Sequence, residues 1–359
     1  GLMRLPKNGE EIDLEETCKM VDAFLEAGFT YFDTARVYVG SEEAIRKALV
    51  ERHPRDSYTL ASKCAAWAGC KTREDAIAQF ETSLETAGVE YFDYYLLHNL
   101  GGNRTNYFDD WDLWKYFLQK KEEGKIRHLG FSCHGTAEEL DEILTKHPEM
   151  EFVQLQINYA DWDNDSIQSG KCYEVARKHG KQVVVMEPVK GGLLANPADA
   201  VQDVFRKQDP DASCASWAIR YAASLEGVLV VLSGMSSLEQ MNDNLSYMKD
   251  FKGLNETEQK TIAEAQEVLK NLPIIPCTSC DYCAKVCPMS IGVSGLFAAM
   301  NQYTKFNSRK SFDRTVEHRV KEKERNLADQ CIQCGACEDA CPQHISIREE
   351  LVKIAGFMK

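Results

Sequence analysis

The chain has 359 residues, 44% of them hydrophobic and 27% charged, and a net charge of −14. Such a length exceeds one ordinary compact domain unless that domain is a barrel with an appendage, and the acidic surplus argues against nucleic acid and anionic membranes, which both need a basic face. No apolar run approaches the ~20 residues of a membrane helix, and eight of the 14 cysteines fall into two regular arrays while Cys18, Cys64, Cys70, Cys133, Cys172 and Cys214 are scattered, a pattern that fits a reducing cytoplasm.

No secretory leader is recognisable. The chain opens as if inside a strand, Gly1–Leu5, so residues ahead of Gly1 are expected; Pro6 stops that strand. Asp13-x-x-Glu16 has the form of a capping box, and Leu14, Val21, Phe24 and Leu25 make the apolar stripe of the helix it opens, which Gly28 ends. A second strand is read at Phe29–Phe32, and Ser41 caps the helix behind it. Further strands follow at Tyr58–Ser62, Phe92–Leu97, Ile126–Phe131, Phe152–Ile157, Gln182–Met186 and Val228–Leu232. Helices are read between them: one opened by Thr72 and closed by Gly88, one over about Asp110–Glu123, one behind Thr136-x-x-Glu139, one ending at Gly180, and one capped by Ser236 or Ser237.

Eight strands alternating with helices in about 250 residues predict a parallel sheet closed into a (β/α)8 TIM barrel. A doubly wound sheet is the rival, but no Gly-x-Gly-x-x-Gly follows the first strand. Asn255-x-x-Glu258 begins one more helix, and Leu272-Pro273-Ile274-Ile275-Pro276 reads as a stiff linker. The expected layout is a barrel over 1–255, a connecting helix over 256–272 and a small, mainly helical, cysteine-bearing domain over 273–359.

In such a barrel, side chains at the C-terminal strand ends share one mouth. Asp33, Lys63 and His98 stand at three successive strand ends, and Tyr38 lies in the loop beyond the first of them. A carbonyl becoming an alkoxide needs a proton, and a phenol is a weak donor at neutral pH. Lys63 beside Tyr38 would lower the phenol's pKa, Asp33 would hold Lys63 charged, and His98 would orient the substrate oxygen. Singly, each has a blander role: a capping carboxylate, a surface lysine, a packed ring. Four suitable types at successive strand ends make coincidence a poor account.

The segments Phe32-Asp33-Thr34-Ala35…Tyr38, Ala61-Ser62-Lys63 and Tyr95-Leu96-Leu97-His98 resemble the tetrad motifs of the aldo/keto reductase superfamily, over residues 1 to about 250. The resemblance implies nicotinamide-dependent interconversion of carbonyls and alcohols, with NADP(H) or NAD(H), on a small-molecule substrate. It implies Tyr38 as proton donor, Lys63 and Asp33 as its tuning pair and His98 as the orienting group. For the cofactor it implies Ser132 and Gln154 at the nicotinamide amide, with Cys133 where Asn is usual, and Met186 where many members stack a Tyr. Glu187-Pro188-Val189-Lys190-Gly191-Gly192 resembles the loop that meets the pyrophosphate. Ser233, Gly234, Met235, Gln240 and Asn244 resemble the adenosine site. Gly234 and Gln240 stand where NADPH-dependent members carry cations, which leaves Arg4 or Lys190 as substitutes. Trp67, Tyr107, Trp111, Tyr159 and Trp162 lie on loops, where packing is the commoner role and walling the pocket the other; His134 reads as a loop residue.

The tail holds the most specific signal. Cys277-x2-Cys280-x2-Cys283-x3-Cys287-Pro288 recurs as Cys331-x2-Cys334-x2-Cys337-x3-Cys341-Pro342. This is the bacterial ferredoxin run, in which the fourth cysteine serves the other cluster. Cys277, Cys280, Cys283 and Cys341 are therefore assigned to one 4Fe-4S cluster, and Cys331, Cys334, Cys337 and Cys287 to a second. Zinc sites usually pair two close cysteines with a distant pair, so the spacing disfavours zinc. Residues 288–330 separate the runs, with helix expected at Phe297–Met300 and Thr315–Arg325. This resembles the helical two-cluster domains fused to oxidoreductases, and the join at Ile275-Pro276-Cys277-Thr278 resembles an aldo/keto reductase subgroup with such a tail.

Two functions follow. One is an oxidoreductase whose barrel interconverts carbonyl and alcohol while the clusters exchange electrons with a redox partner protein. A hydride carries two electrons and a cluster one, so direct coupling calls for a flavin, for which no motif is present. The other is an electron-transfer protein whose barrel is a nucleotide- or partner-binding module.

Overall fold

The computed structural model describes residues 1–277, 279–341 and 343–359. Thr278 at the predicted join and Pro342 in the second cysteine run lie outside the described residues. Packing divides the chain into two units, Gly1–Gly191 with Ala215–Ile262, and Gly192–Cys214 with Ala263–Lys359.

The first unit opens with a small antiparallel hairpin, β1 (Lys7–Asn8) and β2 (Glu11–Ile12). Helix α1 (Leu14–Glu26) follows, with the Asp13 carboxylate accepting from the Glu16 amide. Then come β3 (Tyr31–Asp33), α2 (Ser41–Ile45), β4 (Thr59–Cys64), α3 (Arg73–Ala87), β5 (Phe92–Leu100), α4 (Arg104–Asp110), α5 (Leu113–Glu122), β6 (Ile126–Cys133), α6 (Ala137–Lys146), β7 (Phe152–Gln156), α7 (Ser169–Lys178) and β8 (Gln182–Met186). After the excursion into the second unit, α9 (Cys214–Ala223), β9 (Val228–Val231), α10 (Leu238–Met248) and the first half of α11 (Glu256–Lys270) complete it. The predicted box at Thr136 forms with Glu139, and Thr72, read only as a helix start, makes one with Asp75.

Strands β3 to β9 make one seven-stranded parallel sheet in sequence order, a nearly closed barrel ringed by helices. The eighth strand expected at Gly1–Leu5 does not form. Instead, the Leu2 amide donates to the Asp33 carbonyl (2.8 Å) and the Gly1 amine to the Ser233 carbonyl (3.0 Å), so the segment touches both edges without a ladder. The helix expected over about Asp110–Glu123 is α5, entered through Asp112 in a left-handed conformation (φ 49°), while α4 ahead of it was not foreseen. Side chains alternate along each strand. One parity packs outward against the helices (Leu129, Phe131 and Cys133 in β6). The other fills the barrel with Ala61, Leu96, Phe152, Val184 and Leu232. Gly130 is obligatory there: a Cβ on it would lie 2.4 Å from the Phe152 carbonyl oxygen.

In the second unit, α8 (Asp199–Gln208) belongs to the excursion; the Ala198 amide donates to the Lys305 carbonyl (3.0 Å) and Asn307 Nδ2 to the Pro197 carbonyl (3.2 Å). Short α12 (Tyr282–Val286), then α13 (Val293–Phe306), α14 (Arg309–Val316), α15 (Ala336–Asp339) and α16 (Ile347–Met358) pack around Leu296, Phe297, Phe312, Val316, Val320, Leu351 and Ile354. The helix expected over Thr315–Arg325 is instead the end of α14 and one widened turn, Glu317–Lys321. No helix is long and apolar enough to cross a membrane among the described residues.

Candidate active site and the cysteine cavities

Inward parity carries the chemistry to the mouth. Two residues beyond Ala61, Leu96, Phe152 and Val184 come Lys63, His98, Gln154 and Met186, and Asp33 ends β3. Lys63 is fully buried, and its Nζ donates to Asp33 Oδ1 (2.6 Å) and to the Thr34 carbonyl (2.7 Å). That ammonium lies 5.0 Å from the centroid of the Tyr38 ring, and the Tyr38 and His98 rings meet edge-on at 5.9 Å. The four residues expected to act together are thus brought together.

Burial lowers the Lys63 pKa, but the Asp33 charge, Tyr38 and their hydrogen bonds outweigh it, so the ammonium is held above its usual range. For Tyr38 the direction differs from the expectation. Lys63 does pull its pKa down, yet burial outweighs that pull, with Asp33 and Glu187 adding to it, and the phenol stays protonated beyond its usual range. Burial, then Lys63 and His134, hold His98 well below its usual pKa, so the imidazole is neutral. Four buried polar atoms here have no partner among the described residues: Asp33 Oδ2, His98 Nδ1, Asn99 Oδ1 and Gln154 Oε1. Such atoms are costly unless something satisfies them, which marks a binding mouth.

The predicted cofactor positions divide. Ser132 is buried and its Oγ accepts from the Asn99 amide (2.7 Å); Gln154 Nε2 reaches Met186 Sδ (3.4 Å), leaving its Oε1 free. Cys133 faces the outer layer, where its Sγ accepts from the Gly135 amide (3.3 Å), because it has the opposite parity to Ser132. Gly191 and Gly192 have positive φ (66° and 94°), as do Glu187 and Lys190 (55° and 50°), so this loop is wound left-handed. Gly192 is the first residue of the second unit. After β9, Asn244 Nδ2 donates to Ser233 Oγ (2.8 Å) and Gln240 Oε1 accepts from the Ser236 amide (2.8 Å). Met235 and Gly234 lie between them, and a Cβ on Gly234 would meet Arg4 at 3.8 Å.

The two candidate substitute cations are also placed. Lys190 is engaged by the buried Asp161 (2.5 Å), whereas Arg4 makes only a long pair with Glu187 (3.4 Å) and its guanidinium stands 3.2 Å from a Cβ built on Gly191. Asp161 was missed in the sequence. It also accepts from Gln156 and Asn158, and Asn158 donates to the Glu187 carbonyl (3.1 Å), fixing the loop from below. Asn158 and Asp161, three apart just past a strand end, were the available signal. Of the loop aromatics, Trp67 adjoins the tetrad, its Nε1 donating to the His98 carbonyl (2.9 Å); Tyr107 packs on Trp111, and Trp162 on Tyr173 and Tyr221.

In the second unit the thiols sort into two spaces. Cys277, Cys280, Cys283 and Cys341 line one cavity with Phe297, Ile345 and Ile347. Cys287, Cys331, Cys334 and Cys337 line another with Ile291 and Leu351, and Val293 walls both. The crossed sets inferred from spacing thus each surround one space. The backbone repeats too. Ser279 and Gln333, Asp281 and Gly335, Ser290 and His344 stand at matching places in the two runs, all with positive φ. Left-handed turns of this kind point amides inward at anionic groups; the Ser279 amide reaches Cys277 Sγ (3.5 Å) and the Ile291 amide Cys287 Sγ (3.4 Å). Among the described residues no three His, Cys, Asp or Glu side chains converge tightly enough for a single ion. Wide spaces ringed by four thiols suit an inorganic cube, whose irons hold the thiolates apart.

The fold and mouth define a barrel oxidoreductase, and the cysteine unit an iron–sulfur domain. The chain belongs to the aldo/keto reductase family, whose model matches residues 1–267, and it carries a 4Fe-4S dicluster domain matched over residues 276–345. It is similar to an aldo-keto reductase of Mycolicibacterium vanbaalenii, 30% identical over 239 residues, or 66% of this chain and 78% of the relative. Among solved structures, the holo form of an aldo-keto reductase from Bacillus halodurans superposes with a TM-score of 0.60 at 24% identity, covering 74% of this chain and 90% of the other. A Klebsiella pneumoniae aldo-keto reductase in complex with NADPH gives 0.53 at 22%, covering 70% and 84%.

Proposed function

We propose that the barrel interconverts a small-molecule carbonyl and its alcohol with NADP(H) or NAD(H), and that the tail holds two 4Fe-4S clusters exchanging single electrons with a redox partner in the cytoplasm. One observation carries the reading: a buried ammonium clamped by Asp33 and the Thr34 carbonyl beneath Tyr38, with neutral His98 opposite. The nicotinamide, when bound, supplies or takes up the hydride. Tyr38, protonated, delivers its proton to the substrate oxygen as negative charge gathers there. Lys63 stabilises the phenolate left behind, and Asp33 keeps that charge in place. His98 holds the substrate oxygen by a hydrogen bond, its ring steadied by Trp67 and Tyr38. In the oxidative direction Tyr38 takes the proton back.

Ser132 and the free Gln154 Oε1 fit the carboxamide of a nicotinamide, and Met186 walls it. Gly191, Gly192, Ser233, Gly234, Met235, Gln240 and Asn244 are proposed for the rest of the nucleotide. Cys277, Cys280, Cys283 and Cys341 would hold one cluster, and Cys331, Cys334, Cys337 and Cys287 the other; bound clusters supply one-electron capacity. The test is Tyr38→Phe assayed with a panel of aldehydes and ketones plus NADPH or NADH. Turnover should fall about 10²–10⁴-fold. Undiminished turnover with every carbonyl would favour the barrel as a nucleotide- or partner-binding module. That second reading draws on the loop after β9, whose Asn244 and Gln240 already satisfy Ser233 and Ser236.

A further inference from the structure

The segment between the two cysteine runs departs from the rest of the chain in charge. Residues 305–325 carry eight Lys and Arg against four Asp and Glu, in a chain with a net charge of −14. Several of these charges are spent locally: Arg309 pairs with Asp313 (3.0 Å), Lys321 with Glu317 (3.0 Å) and His318 with Glu322 (2.8 Å). Lys310, Arg314, Arg319, Lys323 and Arg325 are exposed and form no ion pair among the described residues, against one such carboxylate, Glu324.

The cationic ridge is tied to the wall of one cysteine cavity. Next to Arg325, the Asn326 amide donates to the Ser290 carbonyl (3.0 Å), its Nδ2 to the Met289 carbonyl (2.8 Å), and its carbonyl accepts from the Gly292 amide (3.0 Å). Met289 and Ile291 line the cavity of Cys287, Cys331, Cys334 and Cys337. A Cβ on Gly292 would meet Arg325 Cβ at 3.1 Å, and one on Gly295 would meet Arg319 Cβ at 3.0 Å. Ile332, also on that cavity's lining, is 59% exposed, an apolar spot on the cavity to which the ridge is tied.

We propose that the ridge Arg319–Arg325, with Ile332, docks a small acidic one-electron carrier protein at the cavity of Cys287, Cys331, Cys334 and Cys337. The proposal rests on the redox reading of the clusters. Unpaired cations steer an acidic partner and set its orientation, and a central apolar contact with a charged rim is the usual make-up of a transient interface. The step is a bare electron transfer: the reduced carrier loses one electron, the cluster gains one, and no bond forms or breaks. Nucleic acid would also answer to cations, but two exposed carboxylates, Glu322 and Glu324, interleave the ridge and disfavour a polyphosphate.

The experiment uses the full chain, cluster-loaded and anaerobic, mixed by stopped flow with a reduced acidic ferredoxin of the two-cluster bacterial type. The wild type and the triple variant R319E/K323E/R325E are compared, with dithionite as a control reductant. We expect the second-order rate constant of the wild type to fall as salt is raised, and that of the variant to be about tenfold lower at low salt. Bleaching amplitude by dithionite should be equal in both. Equal rates with ferredoxin in the two proteins would overturn the proposal, as would variant-sensitive binding of a DNA oligonucleotide without any effect on ferredoxin. If dithionite bleaches neither protein, the redox reading itself fails and the docking site goes with it.

Discussion

The barrel mouth and the cysteine cavities reach chemistry by opposite routes. At the mouth the protein supplies every charge: a fully buried ammonium, its carboxylate at 2.6 Å and a neutral imidazole are set side by side by three neighbouring strands, β3, β4 and β5. In the second unit the chain supplies spaces ringed by thiols, whose ordering waits on an inorganic core. The first site is pre-organised by its own hydrogen bonds; the second is completed by what it binds. The difference teaches where each should fail.

Lys63→Met is the sharpest way to break the barrel side. It should cost turnover on the scale of Tyr38→Phe and leave Asp33 buried without its partner. Losing one member of a buried pair costs about 3–5 kcal/mol, to be checked by urea unfolding of the barrel signal. Iron removal with a chelator probes the other side. Hydrogen exchange should rise across 277–345 while β3 to β9 stay protected; a uniform rise would show that the sites are not independent. Cys334→Ser should halve the iron bound per chain.

A pH series sharpens the comparison further. Unfolded, His98 binds a proton below about 6.5, while the folded site resists it. Stability present above that pH is therefore lost as pH falls, with a slope approaching about 1.4 kcal/mol per unit. His98→Asn should flatten that slope in thermal melts of the barrel. The smallest effect expected is that of Arg4→Gln. Since Lys190 is held by Asp161, Arg4 is the cation left near Gly191 and Gly234, and NADPH should bind several-fold more weakly, measured as Kd by fluorescence quenching. An unchanged Kd would remove Arg4 from the nucleotide site.

What could be read in advance follows the same division. Strand-end position and residue type were enough to group Asp33, Lys63 and His98, and cysteine spacing was enough to sort eight thiols into two sets. Local signals failed where tertiary partners decide. The outward side chain of Cys133 was readable from its parity against Ser132 and was overlooked, but nothing local told that Asp161 would hold Lys190. The net direction of the Tyr38 pKa depends on how deeply the ring is buried, which no spacing encodes. Gly192–Cys214 had no mark of belonging to the tail, because its apolar face could have joined either core.

That excursion has a consequence for how the molecule is made. Synthesis delivers Gly192–Cys214 to the ribosome exit before β9, and long before the 263–359 segment it packs with. Val201, Val204 and Phe205, buried in the finished protein, are therefore made before most of the unit they belong to. A nascent chain halted near residue 262 would carry a completed sheet and a helix whose own unit is unfinished, a target for chaperones.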